Sequence, residues 1–302
     1  MMKRLVALIC ALLLISGCAL AETPPRKGER GVFARDLQLR LSELGLYIAP
    51  VDDYFGKQTE LAIKKLQAAL EQPEDGILTV QQYELMDTPE AWPSVQDLRE
   101  GDQGALVMRL HVRLDLLGYL SGPVDETYSM RTTSAVSWFQ RENDLSATGE
   151  ADLGMQQLLF SSGAKPAAKP VHRYRLFISN DDQRVYAYQW DGSGYGERVL
   201  TALCSTGLPN TPTPNGIYRA EGPVSRWCYF PIYGSWARYA YRIHNEVLTH
   251  SVLYSKADES TLSVSSVKSL GSKSSHGCIR MSVEEAKWIY DNCQVGTTVV
   301  IY

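Results

Sequence analysis

Residues 274 to 281 read Ser274-Ser275-His276-Gly277-Cys278-Ile279-Arg280-Met281, with one cysteine among small and polar neighbours and a histidine two places before it. A cysteine kept only for packing usually has apolar neighbours. Nucleophilic cysteine chemistry needs an approachable thiol, a base to make the thiolate, and donors for the oxyanion that forms. Gly277 permits a sharp backbone path, and the amides of Gly277 and Cys278 are candidate oxyanion donors. A free thiol titrates at about 8.5, which leaves only a few per cent thiolate near neutrality, so a base must be at hand. Five histidines compete for that place. His111 falls in a helical stretch and His172 at the edge of a linker, where both read as surface or packing residues. His244 sits beside Asn245 and Glu246 in an expected hairpin turn. His250 closes the strand-like run Val247-Leu248-Thr249-His250-Ser251, and His276 belongs to the cysteine string itself. With no Cys-x-x-Cys or His-x-x-x-His pair, the sequence offers no zinc pattern, and no metal or cofactor is expected.

The element that follows the cysteine is legible. Ser282-Val283-Glu284-Glu285 has the form of a capping box. The helix it opens should run to about Cys293, with Ala286, Ile289, Tyr290 and Cys293 on one apolar face. Cys278 therefore lies in a loop feeding a helix. The string Ser-His-Gly-Cys-Ile-Arg-Met, with His250-Ser251 upstream, resembles the L,D-transpeptidase (YkuD-type) family of bacterial cell-wall enzymes over residues 172–302. The resemblance implies Cys278 as nucleophile and His250 as base. It places Ser251, Ser275, His276, Gly277 and Arg280 around the oxyanion and substrate. Many members carry Asn at the position of Arg280, whose fork suits either a stem-peptide carboxylate or a structural ion pair. The implied reaction is peptidoglycan cross-linking through a cysteine acyl-enzyme on tetrapeptide stems, with no cofactor. An L,D-carboxypeptidase would use the same residues with water as acceptor, and a non-catalytic wall-binding protein would need only the repeats described below. Twenty-four residues separate His250 from Ser275, more than the family usually has. The extra Ser- and Lys-rich stretch, Tyr254 to Lys273, reads as a lid over the cleft or an inert surface loop. Ser205-Thr206-Gly207 and Thr211-Pro212-Thr213-Pro214-Asn215-Gly216 also resemble the family and read as a tight loop holding the cleft wall.

The amino end looks like an export leader over residues 1–21: Met1-Met2-Lys3-Arg4, then an apolar run from Leu5 to Ile15 that is too short to span a bilayer. Ile15-Ser16-Gly17-Cys18 resembles a lipobox that would lipidate Cys18, and Ala19-Leu20-Ala21 equally resembles an ordinary cleavage site. The protein is expected in the cell envelope, secreted or lipid-anchored. At 302 residues with 44% hydrophobic content the chain can form two or three cored domains. Thirty basic against 34 acidic residues, net −4, make no electrostatic case for nucleic acid.

An ungapped offset of 73 residues superposes Leu41 on Leu114, Gly45 on Gly118, Asp52 on Asp125, Thr59 on Thr132, Gln67 on Gln140 and Gly76 on Gly149. So many coincidences indicate a duplicated helical unit. The spacing predicts three helices per copy, over 30–88 and 97–161, the first in each ending at Leu-Gly with glycine as C-cap. The copies resemble the peptidoglycan-binding domain that precedes many cell-wall enzymes. That family usually has glycine after the turn Asp, where this chain has Asp53 and Glu126. Tyr47, Tyr54, Tyr119 and Tyr128 read equally as glycan-stacking or packing groups. Residues 87–94 form a joint, and residues 162–171, with Pro166 and Pro170, read as a semi-flexible tether.

From residue 172 the pattern changes to short strands, expected near 175–178, 184–188, 197–204, 216–220, 239–243, 247–252 and 297–302. The expected architecture is thus two small all-α three-helix bundles followed by a mainly β, sandwich- or barrel-like catalytic domain. Of the cysteines outside the leader, Cys293 reads as a buried helix-face residue. Cys204 with Cys228 forms a candidate bridge, while Cys278 must stay free to react.

Overall fold

In the computed structural model, residues 24–86 and 96–302 are described. The leader with Cys18 and the joint at 87–94 lie outside the described residues. Among the described residues no helix is long and apolar enough to cross a membrane.

The first copy comprises α1 (Val32–Glu43), α2 (Lys57–Ala69) and α3 (Val80–Leu85); the second comprises α4 (Ala105–Leu116), α5 (Met130–Glu142) and α6 (Leu153–Leu159). Both first helices stop where the sequence says they should. Gly45 and Gly118 take φ of 68° and 82°, a left-handed turn that a residue with a Cβ enters only at a cost. Leu37, Leu41, Ile63 and Leu66 fill the first core, and Leu110, Leu114, Val136 and Phe139 fill the second. Tyr47, Tyr119 and Tyr128 are buried, which makes them packing residues; Tyr54 is half-buried under Arg30.

The stretch at 162–171 does not behave as a tether. The Ala167 amide donates to Leu117 O at 2.9 Å, the Val171 amide to Gly118 O at 3.0 Å and the Lys165 amide to Asn143 Oδ1 at 2.9 Å. Ala167 is fully buried. Proline keeps this segment extended, but its alanines are small enough to lie against the end of α4, so hydrogen bonds strap it down. Beneath the strap, the buried Asp115 of α4 meets Arg175 at 2.6 Å and Arg219 at 2.8 Å, and accepts from Thr298 Oγ1 at 2.9 Å. Burial alone would raise the Asp115 pKa. Arg219, Arg175 and the Thr298 hydroxyl outweigh it and hold the carboxyl below its usual range.

The carboxy-terminal part is built from two sheets. One has the order β3 (Glu197–Leu203), β2 (Arg184–Gln189), β1 (Tyr174–Ser179), β10 (Thr298–Ile301), β4 (Gly216–Arg219). The other has the order β5 (Gly222–Phe230), β6 (Ser235–His244), β7 (Val247–Ser251), β9 (Ile279–Met281), with β8 (Leu253–Tyr254) also on β6. Pairing is antiparallel except for β1 with β10 and β7 with β9. Leu176, Ile178, Val185, Tyr241, Ile279 and Val299 form the core together with Ala286 and Ile289. Those last two lie on α8 (Val283–Asn292), which opens on the expected Ser282–Glu285 capping box. Strand β5 and the short helix α7 (Val264–Lys268) were not expected from the sequence. The β5 run Gly-Pro-Val-Ser-Arg-Trp-Cys-Tyr-Phe lacks the clean alternation that marks a strand.

Candidate active site

Strand β7 brings His250 to the site and β9 brings Arg280 beside it, since the two strands are parallel with these residues in register. Gly277 has φ +116°, open to glycine, and an added Cβ there would meet nothing within 4 Å. The requirement is therefore backbone conformation alone. Ser275, 1% exposed, ties the turn together: its Oγ accepts from the Gly277 amide at 3.2 Å and donates to the Cys278 carbonyl. The Gly277 amide is thus already engaged, which removes it from the expected oxyanion pair. The Cys278 amide donates to no described residue.

A second loop braces this turn from behind. Thr213 Oγ1 donates to Gly277 O at 2.8 Å and accepts from the Gly207 amide at 2.9 Å, and the amides of Ser274 and Ser275 both donate to Thr206 O at 3.0 Å. This is the wall-holding place read from the Ser205–Gly207 and Thr211–Gly216 stretches.

The His250 ring is 2% exposed, with Nδ1 2.7 Å from the Ser251 carbonyl. A carbonyl only accepts, so Nδ1 carries the proton and Nε2 keeps a free lone pair. Burial lowers the His250 pKa to about 4; the bond to Ser251 opposes this and the nearby Arg280 adds to it. Burial also raises the Cys278 thiol, with backbone bonding at Leu248 and the Arg280 charge pulling the other way. Both shifts favour uncharged forms. Near neutrality the resting pair is thiol and imidazole, and the thiol donates to Glu246 O at 3.5 Å. Charge separation must accompany attack.

Cys278, His250, Ser275, His276 and Arg280 line one cavity of about 350 Å³. Its outer wall is the β5–β6 hairpin. Phe230 packs on His250 with ring centroids 4.9 Å apart, Tyr233 stacks on His276 at 4.6 Å, and Ile232 at the hairpin tip is 88% exposed. Ser235 near the hairpin tip and Arg242 farther along β6 also line the cavity.

Both parts of the chain resemble known proteins. The model described as "L,D-transpeptidase catalytic domain" (YkuD) matches residues 173–301. A Bacillus subtilis (strain 168) protein, "Putative L,D-transpeptidase YciB", is 31% identical over 191 residues, which are 62% of this chain and 92% of that protein. The chain belongs to the L,D-transpeptidase family. The model "Putative peptidoglycan binding domain" matches residues 30–86 and 103–159. Among solved structures, an L,D-transpeptidase from Mycobacterium smegmatis is 23% identical, with 47% of this chain and 64% of that chain covered and a TM-score of 0.36. Another from Mycobacterium tuberculosis H37Rv is 24% identical, covering 44% and 59%, with a TM-score of 0.35.

Against the expectations for an L,D-transpeptidase, several residues stand differently. Ser251 is fully buried, and its Oγ accepts from the Arg238 amide at 2.8 Å and donates to Val252 O at 2.7 Å. Its side chain therefore holds the strand, and only its carbonyl reaches the site, through His250. No residue of the Tyr254–Lys273 insert lines the cavity, so it is no lid over the cleft; it is folded on the surface, where Tyr254 pairs with Leu262 and Arg238 meets Glu259 at 2.5 Å. Cys204 and Cys228 are free. Cys204 is buried beyond the end of β3, its thiol pushed up to about 12 by burial, whereas Cys228 lines the cavity from β5 in the other sheet. His111, His172 and His244 are not among the cavity residues. The hairpin residues and Arg242, Glu246 and Leu248 were missed. The aromatic run Trp227 to Tyr233 was their one visible signal.

Proposed function

We propose that this protein is a peptidoglycan L,D-transpeptidase acting through Cys278 and His250. The observation that carries the reading is His250, its Nδ1 proton given to a carbonyl and its Nε2 free, lining one cavity with Cys278. Nε2 takes the thiol proton as Sγ attacks the carbonyl of the third stem residue, and the oxyanion faces the Cys278 amide. The imidazolium returns that proton to the departing amine of D-alanine, leaving a thioester. The side-chain amine of a second stem then attacks the thioester, His250 takes its proton, and collapse restores the thiol. Stacked on Tyr233, His276 shapes the wall. The helical copies hold the enzyme on the cell wall, and the leader, processed at Cys18 or after Ala21, exports it to that compartment.

The test is mass spectrometry of tetrapeptide stems incubated with the mature protein. Cross-linked dimers are expected, absent with Cys278→Ala and reduced about 10²- to 10⁴-fold with His250→Ala, the usual worth of a general base. Tripeptide monomers without dimers would make the protein an L,D-carboxypeptidase. Untouched stems, with the protein pelleting on isolated walls, would leave a binding protein.

A further inference from the structure

The reaction gives no task to Arg242, one of the charged groups lining the cavity. Arg242 on β6 stands opposite Leu248 on β7, and directly paired residues share a face of the sheet. Leu248 and His250 are two apart along β7 and so share that face. His250 in turn is in register with Arg280, and all four line the cavity with Cys278. The Nε atoms of Arg242 and Arg280 are buried and bonded to nothing. Glu221 is 3.9 Å from the Arg242 guanidinium, outside hydrogen-bond reach, and its other oxygen accepts the Asn245 amide at 3.0 Å. Glu246 lines the same cavity but pairs with neither arginine. A guanidinium presents a planar fork of donors matched to a carboxylate, and buried donors without a partner are costly until something satisfies them. Strands spaced about 4.8 Å apart put β6 and β9 about 10 Å apart across β7. The two forks would therefore meet an extended peptide at two points, about three residues apart.

We infer that Arg242 is a specificity-determining residue that binds a free carboxylate of the donor stem peptide, away from the bond Cys278 attacks, so that amidation of that carboxylate weakens recognition. The inference rests on the acyl-transfer reading. To test it, binding is measured by calorimetry on full-chain Cys278→Ala protein, using a tetrapeptide stem with all carboxyls free and matched stems amidated one carboxyl at a time. Turnover is measured on the Cys278 protein with the same peptides. With Arg242 present, one amidation should lower both affinity and kcat/KM at least tenfold. Arg242→Gln should treat that pair of peptides alike, and Arg242→Lys, which keeps the charge but not the fork, should retain part of the preference and carries the test if the Gln variant fails to fold. No preference with Arg242, or a preference that survives in Arg242→Gln, overturns the inference while cross-linked dimers keep the transfer reading. A binding preference with no D-alanine release from any peptide overturns the transfer reading and leaves the carboxylate site.

Discussion

Gln38 in the first helical copy and His111 in the second occupy the same place, and each organises the loop that leads to the next helix. Gln38 Oε1 accepts the amides of Asp52 and Asp53 at 3.0 and 3.2 Å, while its Nε2 reaches Asp52, Tyr54 O and Thr59. His111 manages with two contacts, Nδ1 accepting the Asp125 amide at 3.3 Å and Nε2 meeting Thr132 Oγ1 at 2.8 Å. On the second helix of each copy nothing changes: Gln67 accepts the Gly76 amide and Gln140 the Gly149 amide, both at 2.9 Å. The copies diverge most on their outer faces. The second carries Asp115 and is fastened to the catalytic sheets through Arg175 and Arg219; the first has Ser42 at the equivalent position. Duplication kept the loop scaffold, whose hydrogen bonds any copy must satisfy, and left the outer face free to become an attachment in one copy.

Asp115→Ala should break this comparison hardest. It leaves Arg175, fully buried, without its counter-charge, an event that costs about 3 to 5 kcal/mol. Ser42→Ala should stay within about 0.5 kcal/mol. Urea midpoints of the two variants check the contrast, and equal losses would show that the attachment adds nothing.

A smaller effect separates the copies by pH. Burial lowers the His111 pKa, opposed by Asp125, whose carboxylate is 3.6 Å away, and by Asp115, and reinforced by Arg219. The folded form therefore holds a neutral imidazole where the unfolded chain binds a proton. Stability falls as pH drops below about 6.5, the unfolded value. His172 and His250, each lowered to about 4, act in the same direction. His111→Gln, which copies the first repeat, should gain stability relative to the parent as pH falls from 7.5 to 5, read as the difference in melting temperature. No change in that difference would place the His111 titration elsewhere.

The smallest effect concerns the turn residues. Asp53 takes φ 59°, while Glu126 in the second copy is not left-handed. Asp53→Gly relieves strain and loosens the unfolded chain, so it should lie within about 0.5 kcal/mol of neutral. Glu126→Gly gives only the loss, about 0.4 to 1 kcal/mol. Chemical denaturation of both variants resolves the pair.

Much of the molecule was legible because its signals are local. The repeats announced themselves by offset, Gly45 and Gly118 by the left-handed turn that glycine accepts, and α8 by its capping box. Failures arose where a long-range contact decided the outcome. Residues 162–171 have a linker's composition, but Ala167 fits the end of α4. Cys204 and Cys228 matched as a pair by elimination, but Cys204 is buried past the end of β3 while Cys228 lies on β5 of the other sheet, and both are free.

The sequence by itself determined the three-part order, the helical copies and the cysteine turn, since periodicity, caps and glycine conformation act over a few residues. Only the tertiary structure decided which histidine nitrogen is free, that burial pushes the thiol up and the imidazole down, that the β5–β6 hairpin walls the cleft, and that Arg242 and Arg280 share a sheet face. Those properties depend on desolvation and strand register, which are set by residues far apart in the chain.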